Sequence, residues 1–178
     1  MGDNTDWKGF QDSLKWDYGV SFRNKNVLIL GGGGSAKACF YAALLGGAKA
    51  IAMANRTPEK NNPLLEQDLN PSCQVCSMGI ELKGLKICAE QTQVLINTTS
   101  IGLNPKDRHF FDFTSLPREA FVYDLIYNKK TDFLKRAKTH GCKTGDGLGM
   151  LIRQGALAFQ HWTGKKPDLK LMKKALVF

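Results

Sequence analysis

The residues best suited to chemistry are a run of four glycines, Gly31-Gly32-Gly33-Gly34, set between a short apolar segment and a segment with helical spacing. A chain turning sharply from strand to helix needs positions without a β-carbon, for unusual backbone angles and for close approach of an anion. The start of the helix then offers that anion unpaired amides and the positive end of its dipole. The spacing is not the usual G-x-G-x-x-G, since Ala36 occupies the sixth position counted from Gly31. A small residue there still lets helix and sheet pack closely. Gly31, Gly32, Gly33, Gly34 and Ser35 are therefore expected to cradle a pyrophosphate.

A second group, Asn55-Arg56-Thr57 with Lys60 one turn on, follows the next apolar run. An acid at that position would accept from a ribose 2′-hydroxyl, whereas an arginine suits a 2′-phosphate and can bind it bidentately. No carboxylate appears before Glu59. Asn55, Arg56, Thr57 and Lys60 thus point to NADP(H) as the cofactor; an arginine on an exposed loop is the competing explanation for Arg56.

These groups need a frame, and the alternation of strand and helix signals supplies one. Trp7, Phe10, Leu14 and Tyr18 recur at helical spacing, with Asn4 or Thr5 as the N-cap. Asn26-Val27-Leu28-Ile29-Leu30 is a first buried strand, Ala36 to Leu44 a helix stopped by Gly46-Gly47, and Ala50 to Ala54 a second strand. Together they have the size of one βαβ unit. A helix is expected over 58–69, with no definite element from there through Glu81, then strands over 93–97, 120–125 and 143–146. Thr131 caps a helix ended by Gly141; a further helix over 150–162, apolar on most sides, is expected to be largely buried, and a last helix carries Leu169, Met172 and Leu176. The pattern predicts an α/β, Rossmann-like doubly wound fold: a mainly parallel sheet with helices on both faces.

Composition excludes several classes. The chain has 178 residues, with 43% hydrophobic and 23% charged, enough to bury a core without disulfide or metal. No apolar run is long enough to span a bilayer and no signal peptide is recognised, so no membrane and a cytoplasmic location are expected. Five cysteines scattered over different elements argue for a reducing compartment. Cys73-x-x-Cys76 is half a zinc site with no second pair, so no metal is expected. The net charge of +9 comes partly from a lysine-rich tail and lacks interleaved aromatics, so no nucleic acid is expected either.

Taken together, the motifs resemble the NADP-binding half of the shikimate dehydrogenase family, including its quinate/shikimate relatives. The resemblance rests on Asn4-Thr5-Asp6, Gly31 through Ala38, Asn55-Arg56-Thr57, Asn97-Thr98-Thr99-Ser100-Ile101-Gly102, Tyr123-Asp124-Leu125-Ile126-Tyr127, Asp146 through Gln154 and Trp162-Thr163-Gly164. It covers essentially the whole chain, in the family's order. It implies reversible hydride transfer between NADP(H) and the 3-dehydroshikimate/shikimate pair, in aromatic amino-acid biosynthesis. It also implies that Asp6 is the aspartate of a lysine–aspartate proton shuttle and binds substrate, although helix capping would account for the residue equally well. Tyr127 and Gln154 correspond to substrate-binding positions, the former also suited to a buried core. Thr99, Ser100, Leu125, Gly147, Met150 and Leu151 correspond to positions beside the cofactor, where apolar contacts would keep water from the hydride path.

The family's substrate domain, which supplies the lysine and a Ser-x-Ser pair, has no counterpart among these residues. The expectation is one NADP-binding domain over 1–178, with its core at 20–145. The helices of 1–19 and 146–178 would face a substrate domain, and the isolated chain would have little or no activity. A stand-alone NADP(H)-binding or regulatory module is the alternative. Exposed apolar faces at Trp7, Phe10, Leu14, Leu169, Met172 and Leu176 are expected, with self-association as a consequence.

Overall fold

The computed structural model describes residues 4–61, 72–80, 82–104, 106–107 and 111–176, with the backbone alone at 60, 61 and 82. Six strands form one sheet: β1 (Asn26–Leu30), β2 (Ala50–Asn55), β3 (Gln74–Gly79), β4 (Val94–Asn97), β5 (Phe121–Asp124) and β6 (Lys143–Asp146). All pairings are parallel, in the order β3-β2-β1-β4-β5-β6. The helices are α1 (Asp6–Tyr18), α2 (Gly34–Leu45), α3 (Leu82–Glu90), α4 (Asp132–His140), α5 (Leu148–Thr163) and α6 (Leu169–Ala175). This is the expected Rossmann-like doubly wound arrangement. Strand order reverses between β1 and β4, and in open α/β sheets ligands bind beyond the strand C-termini at such a switch point.

The central strands are apolar throughout because both their faces are covered. Successive side chains point to opposite faces. Val27, Ile29, Ile51, Met53, Ile96 and Tyr123 accordingly pack with Phe10 and Leu14 of α1, Cys39 and Phe40 of α2 and Met150 of α5. Leu28, Leu30, Ala52, Ala54, Leu95 and Val122 pack on the other face with Leu85 and Ala89 of α3 and Phe133 and Ala137 of α4. Small residues along α2 (Ala36, Ala38, Cys39, Ala42 and Ala43, all buried) bring that helix close to the sheet beneath the glycine run.

Several expectations change here. Of the helix expected over 58–69, the described part is one 3-10 turn, Pro58–Asn61, and the rest lies outside the described residues. Strand β3 carries no unbroken apolar run because it is an edge strand, half-exposed along its length. Helix α3 went unrecognised because Leu85 and Ala89 are its only fully buried described residues and Gly84 interrupts it. Phe10 and Leu14, expected on an open face, are 0% and 1% exposed, since α1 lies across the sheet rather than beside it. Helix α5 is less buried than its composition suggests: only Met150, Ile152 and Ala156 are fully covered, and Trp162 is 84% exposed. At the start of α1, Asn4 Oδ1 accepts from the Asp6 amide at 2.8 Å, while Thr5 at the cap position makes no side-chain capping bond.

Candidate functional site

The register aligns the C-terminal ends of five strands. Leu30 pairs with Ala54 and Asn97, Asn97 with Asp124, and Asp124 with Asp146. Every residue expected to meet the cofactor lies along or just past this row, so groups separated by more than a hundred positions share one edge.

The four glycines divide by what requires them. Gly31 has φ +119°, and a β-carbon on it would fall 2.3 Å from Thr98 Oγ1. That hydroxyl donates to the Leu30 carbonyl at 2.7 Å, joined there by the Thr98 amide at 2.9 Å. Gly31 is therefore demanded by the fold. Gly33 is not: its φ of −84° and ψ of −171° are open to any residue. A β-carbon on Gly33 or Gly34 would meet nothing within 4 Å. Helix α2 starts at Gly34 with no side-chain cap and no acid in its first turn, and Lys37 is the first residue whose amide bonds back, to Gly33 O at 3.1 Å. Among the described residues, the amides of Gly34, Ser35 and Ala36 thus find no acceptor. Gly34 and Ser35 are exposed and Ala36 is buried behind them; unpaired amides at the open start of a helix are the arrangement that receives a phosphate.

At the end of β2, Asn55 folds its side chain over the next turn. Its Oδ1 accepts from the Arg56 amide at 2.9 Å and its Nδ2 donates to Thr57 O at 3.2 Å. Arg56 and Thr57 are exposed, and the Arg56 guanidinium forms no ion pair among the described residues. The Lys60 side chain lies outside the described residues.

On the other side of the switch point a buried polar network sets the loops. Asn97 and Asp124 are both fully buried at the strand ends, and Asn97 Nδ2 donates to Asp124 Oδ1 at 3.1 Å. Asn97 Oδ1 accepts from the amide and hydroxyl of Thr99 at 3.0 and 2.7 Å, turning the loop that carries exposed Ser100. Asp124 also accepts from the Ile126 amide at 3.2 Å and the Thr131 hydroxyl at 2.6 Å. Burial pushes the Asp124 carboxyl above the usual range, and its three donors offset part of that. The same carboxyl fixes the half-buried Leu125 and the turn leading to Tyr127, which is 40% exposed and so not a core tyrosine.

Gly147 closes the site from below: a β-carbon there would fall 2.0 Å from the Leu125 carbonyl oxygen. Met150 is buried and Leu151 half-buried on the first turns of α5. Two contacts anchor these turns. Tyr18 Oη accepts from the Asp146 amide at 3.1 Å, and Asp17 pairs with Arg153 while accepting from Ser13 Oγ at 3.0 Å. Gly149 fits beneath this pair, where a β-carbon would fall 2.2 Å from Asp17 Oδ2. Helices α1 and α5 also meet at Gly9, where a β-carbon would fall 2.7 Å from the Gln154 amide nitrogen. Asp6, three residues before Gly9, shares its helix face. Half-buried Asp6 and Gln154 are thus brought to one helix crossing.

Against known proteins, residues 147–177 match the family model for the shikimate 5′-dehydrogenase C-terminal domain. The shikimate dehydrogenase (NADP(+)) of Carboxydothermus hydrogenoformans is 41% identical over 179 residues, spanning 99% of this chain and 62% of that protein. The crystal structure of shikimate 5-dehydrogenase from Listeria monocytogenes, in complex with shikimate and NAD, superposes with a TM-score of 0.88 at 31% identity over 99% of this chain and 63% of its own. By sequence and fold the chain is similar to shikimate dehydrogenases. The enzyme from Thermus thermophilus, solved with NADP(H) and shikimate, adds a TM-score of 0.80 at 34% identity over 98% of this chain and 62% of that one. The chain therefore spans about three fifths of the length of the relatives it matches.

The residues that hold these loops in place do not stand out in the sequence. Asn97 and Asp124 were visible only as parts of motifs, although a polar residue ending an apolar strand run is itself a signal. Thr98, Thr131, Ser13, Asp17, Tyr18 and Arg153 act through contacts between distant elements, which spacing does not display.

Proposed function

We propose that the chain binds NADP(H) along the C-terminal edge of its sheet and is the cofactor-binding half of a shikimate dehydrogenase, which reversibly reduces 3-dehydroshikimate to shikimate. The observation that carries this reading is the set of amides at Gly34, Ser35 and Ala36 that find no acceptor among the described residues, opening on the exposed Gly34 and Ser35, with Arg56 at the end of the neighbouring strand and no carboxylate between it and Glu59 in the chain. Gly31, Gly32, Gly33, Gly34 and Ser35 would hold the pyrophosphate, and Asn55, Arg56, Thr57 and Lys60 the 2′-phosphate end. Thr99, Ser100, Leu125, Gly147, Met150 and Leu151 would line the nicotinamide end. When bound, the nicotinamide supplies or accepts the hydride.

The chain's own residues would do the rest. Met150, Leu151 and Leu125 exclude water from the transfer path. Asp6, Gln154 and Tyr127 hydrogen-bond the ring hydroxyls and orient the reacting carbon. Asp6 would also hold the ammonium of a lysine from a substrate domain, so that the proton reaches the reacting oxygen as the hydride moves. In this reading residues 1–178 form one cofactor domain, and the outward faces of α1 and α5 meet that substrate domain. Exposed Phe159 and Trp162 supply apolar surface there, and self-association through it is the expected behaviour of the 178 residues alone. No described helix is long and apolar enough to cross a membrane, and the five cysteines are free, which supports a reducing, cytoplasmic setting.

A fluorescence titration tests the reading. The chain is expected to bind NADPH at least about tenfold more tightly than NADH, one charge-assisted bond's difference. Without a substrate domain it is expected to give little or no shikimate-dependent reduction of NADP+. Equal affinity for the two cofactors would overturn the cofactor assignment.

A further inference from the structure

The two cysteines that sequence spacing joins are separated by the sheet, and a different pair comes together. Cys73 packs on the face that carries Val75, Ile51 and Met53. Cys76 pairs in register with Ala52, whose side chain belongs to the opposite face. Cys88, near the end of α3, packs on that same opposite face. Cys76 and Cys88 line one pocket between β3 and α3, with Ile87, Gln91 and Thr92, at the end of the sheet away from the glycine run. Each thiol lies close enough to the other to affect its ionisation. Cys76 is exposed and Cys88 half-buried, whereas Cys39 and Cys142 are enclosed.

We infer that Cys76 and Cys88 form a redox-sensitive dithiol that closes to an intramolecular disulfide when it meets a low-molecular-weight disulfide. Burial holds both thiols up, but the nearby Cys76 offsets part of this at Cys88 while Cys88 adds to it at Cys76, so the Cys88 thiolate forms ahead of its neighbour's. The Cys88 thiolate attacks one sulfur of the small disulfide; that S–S bond breaks, one small thiolate leaves with the electron pair, and a mixed disulfide stands on Cys88. Cys76 then loses its proton and attacks the Cys88 sulfur. The second small thiolate leaves, and the new S–S bond joins β3 to α3. Two protein thiols are oxidised, one small disulfide is reduced to two thiols, and the protein's two protons end on those thiols. The closed form ties an edge strand to the helix covering it, so the modification site is built from the fold rather than from a C-x-x-C spacing.

The test uses the full chain, reduced and desalted, then held with excess glutathione disulfide at about pH 8.5, near the ordinary cysteine pKa. Intact mass is expected to fall by two hydrogens with no glutathione retained. Lys83 and Lys86 lie between the two cysteines, so trypsin releases a linked pair of peptides that separates on reduction. Cys73→Ser is expected to leave the product unchanged. Cys76→Ser and Cys88→Ser should each abolish it and leave a glutathione adduct instead. A disulfide through Cys73, a product linking two chains, or stable glutathione adducts on the parent protein would overturn the inference. None of these outcomes depends on cofactor binding, so this test and that of the NADP(H) reading fail independently.

Discussion

Gly34→Ala separates what the fold requires from what a ligand requires. Gly34 opens α2, and a β-carbon there would meet nothing within 4 Å. Alanine restricts the unfolded chain and suits a helix better, so the substitution is expected to stabilise the protein by about 0.5 kcal/mol, the lower end of the helical Gly-to-Ala range because the site is in the first turn. The same methyl group occupies the space from which a phosphate would reach the Gly34 and Ser35 amides. Losing one hydrogen bond to a charged oxygen costs roughly 1.5–3 kcal/mol, which is about a 10- to 100-fold loss of NADPH affinity. Stability and binding are thus expected to move in opposite directions. Gly31→Ala supplies the contrast: its φ of +119° and the 2.3 Å approach to Thr98 Oγ1 predict strain of roughly 1–3 kcal/mol before any ligand is present. Urea unfolding and an NADPH fluorescence titration on the three proteins measure both quantities. A Gly34→Ala variant that binds NADPH like the parent would refute the phosphate cradle.

Arg56→Ala is expected to weaken NADPH binding about 10- to 30-fold and leave NADH binding unchanged, because Asn55 rather than the guanidinium shapes the loop; parallel titrations check this, and an equal loss for both cofactors would count against it. Asp124→Asn, which misaligns donors at a buried site, is expected to cost about 1–3 kcal/mol in urea unfolding. Asp124 has a raised folded pKa, so the proton is bound more tightly in the folded chain. Its contribution to stability is full below the ordinary aspartate pKa and declines as pH rises through the folded value. The stability difference between parent and Asp124→Asn should therefore shrink with rising pH over that interval, and a difference that grows would contradict the burial argument. Gly9→Ala is expected to cost about 1–3 kcal/mol, because the added carbon meets the Gln154 backbone at 2.7 Å and α1 must move from α5; thermal unfolding measures it, and a neutral result would place the helix crossing elsewhere.

The central strands and the cofactor groups were legible because their signals are local. Val27 to Leu30 and Val94 to Ile96 are apolar runs bounded by polar or glycine residues, and Gly31 to Gly34 and Arg56 follow strands directly. Strand β3 and helix α3 were not legible, since an edge strand such as Gln74–Gly79 and a helix anchored by Leu85 and Ala89 need little apolar periodicity. Phe10 and Leu14 show the same limit from the other side. Their helical spacing was visible, but the surface that covers them is assembled from β1, β4, β5 and α2. The Asn97–Asp124–Thr131 network was hidden for a related reason: each residue is ordinary at its own position, and its meaning lies in the register that brings strand ends together.

The C-terminal edge of the sheet is proposed to receive NADP(H), with its 2′-phosphate at Arg56. Amide and guanidinium NMR shifts of the labelled chain, followed during titration with NADPH and then NADH, test it most directly. Both cofactors are predicted to shift the amides of Gly33, Gly34, Ser35 and Ala36, and NADPH alone the Arg56 guanidinium. Shifts confined to residues away from this edge, or an Arg56 response identical for the two cofactors, would contradict it.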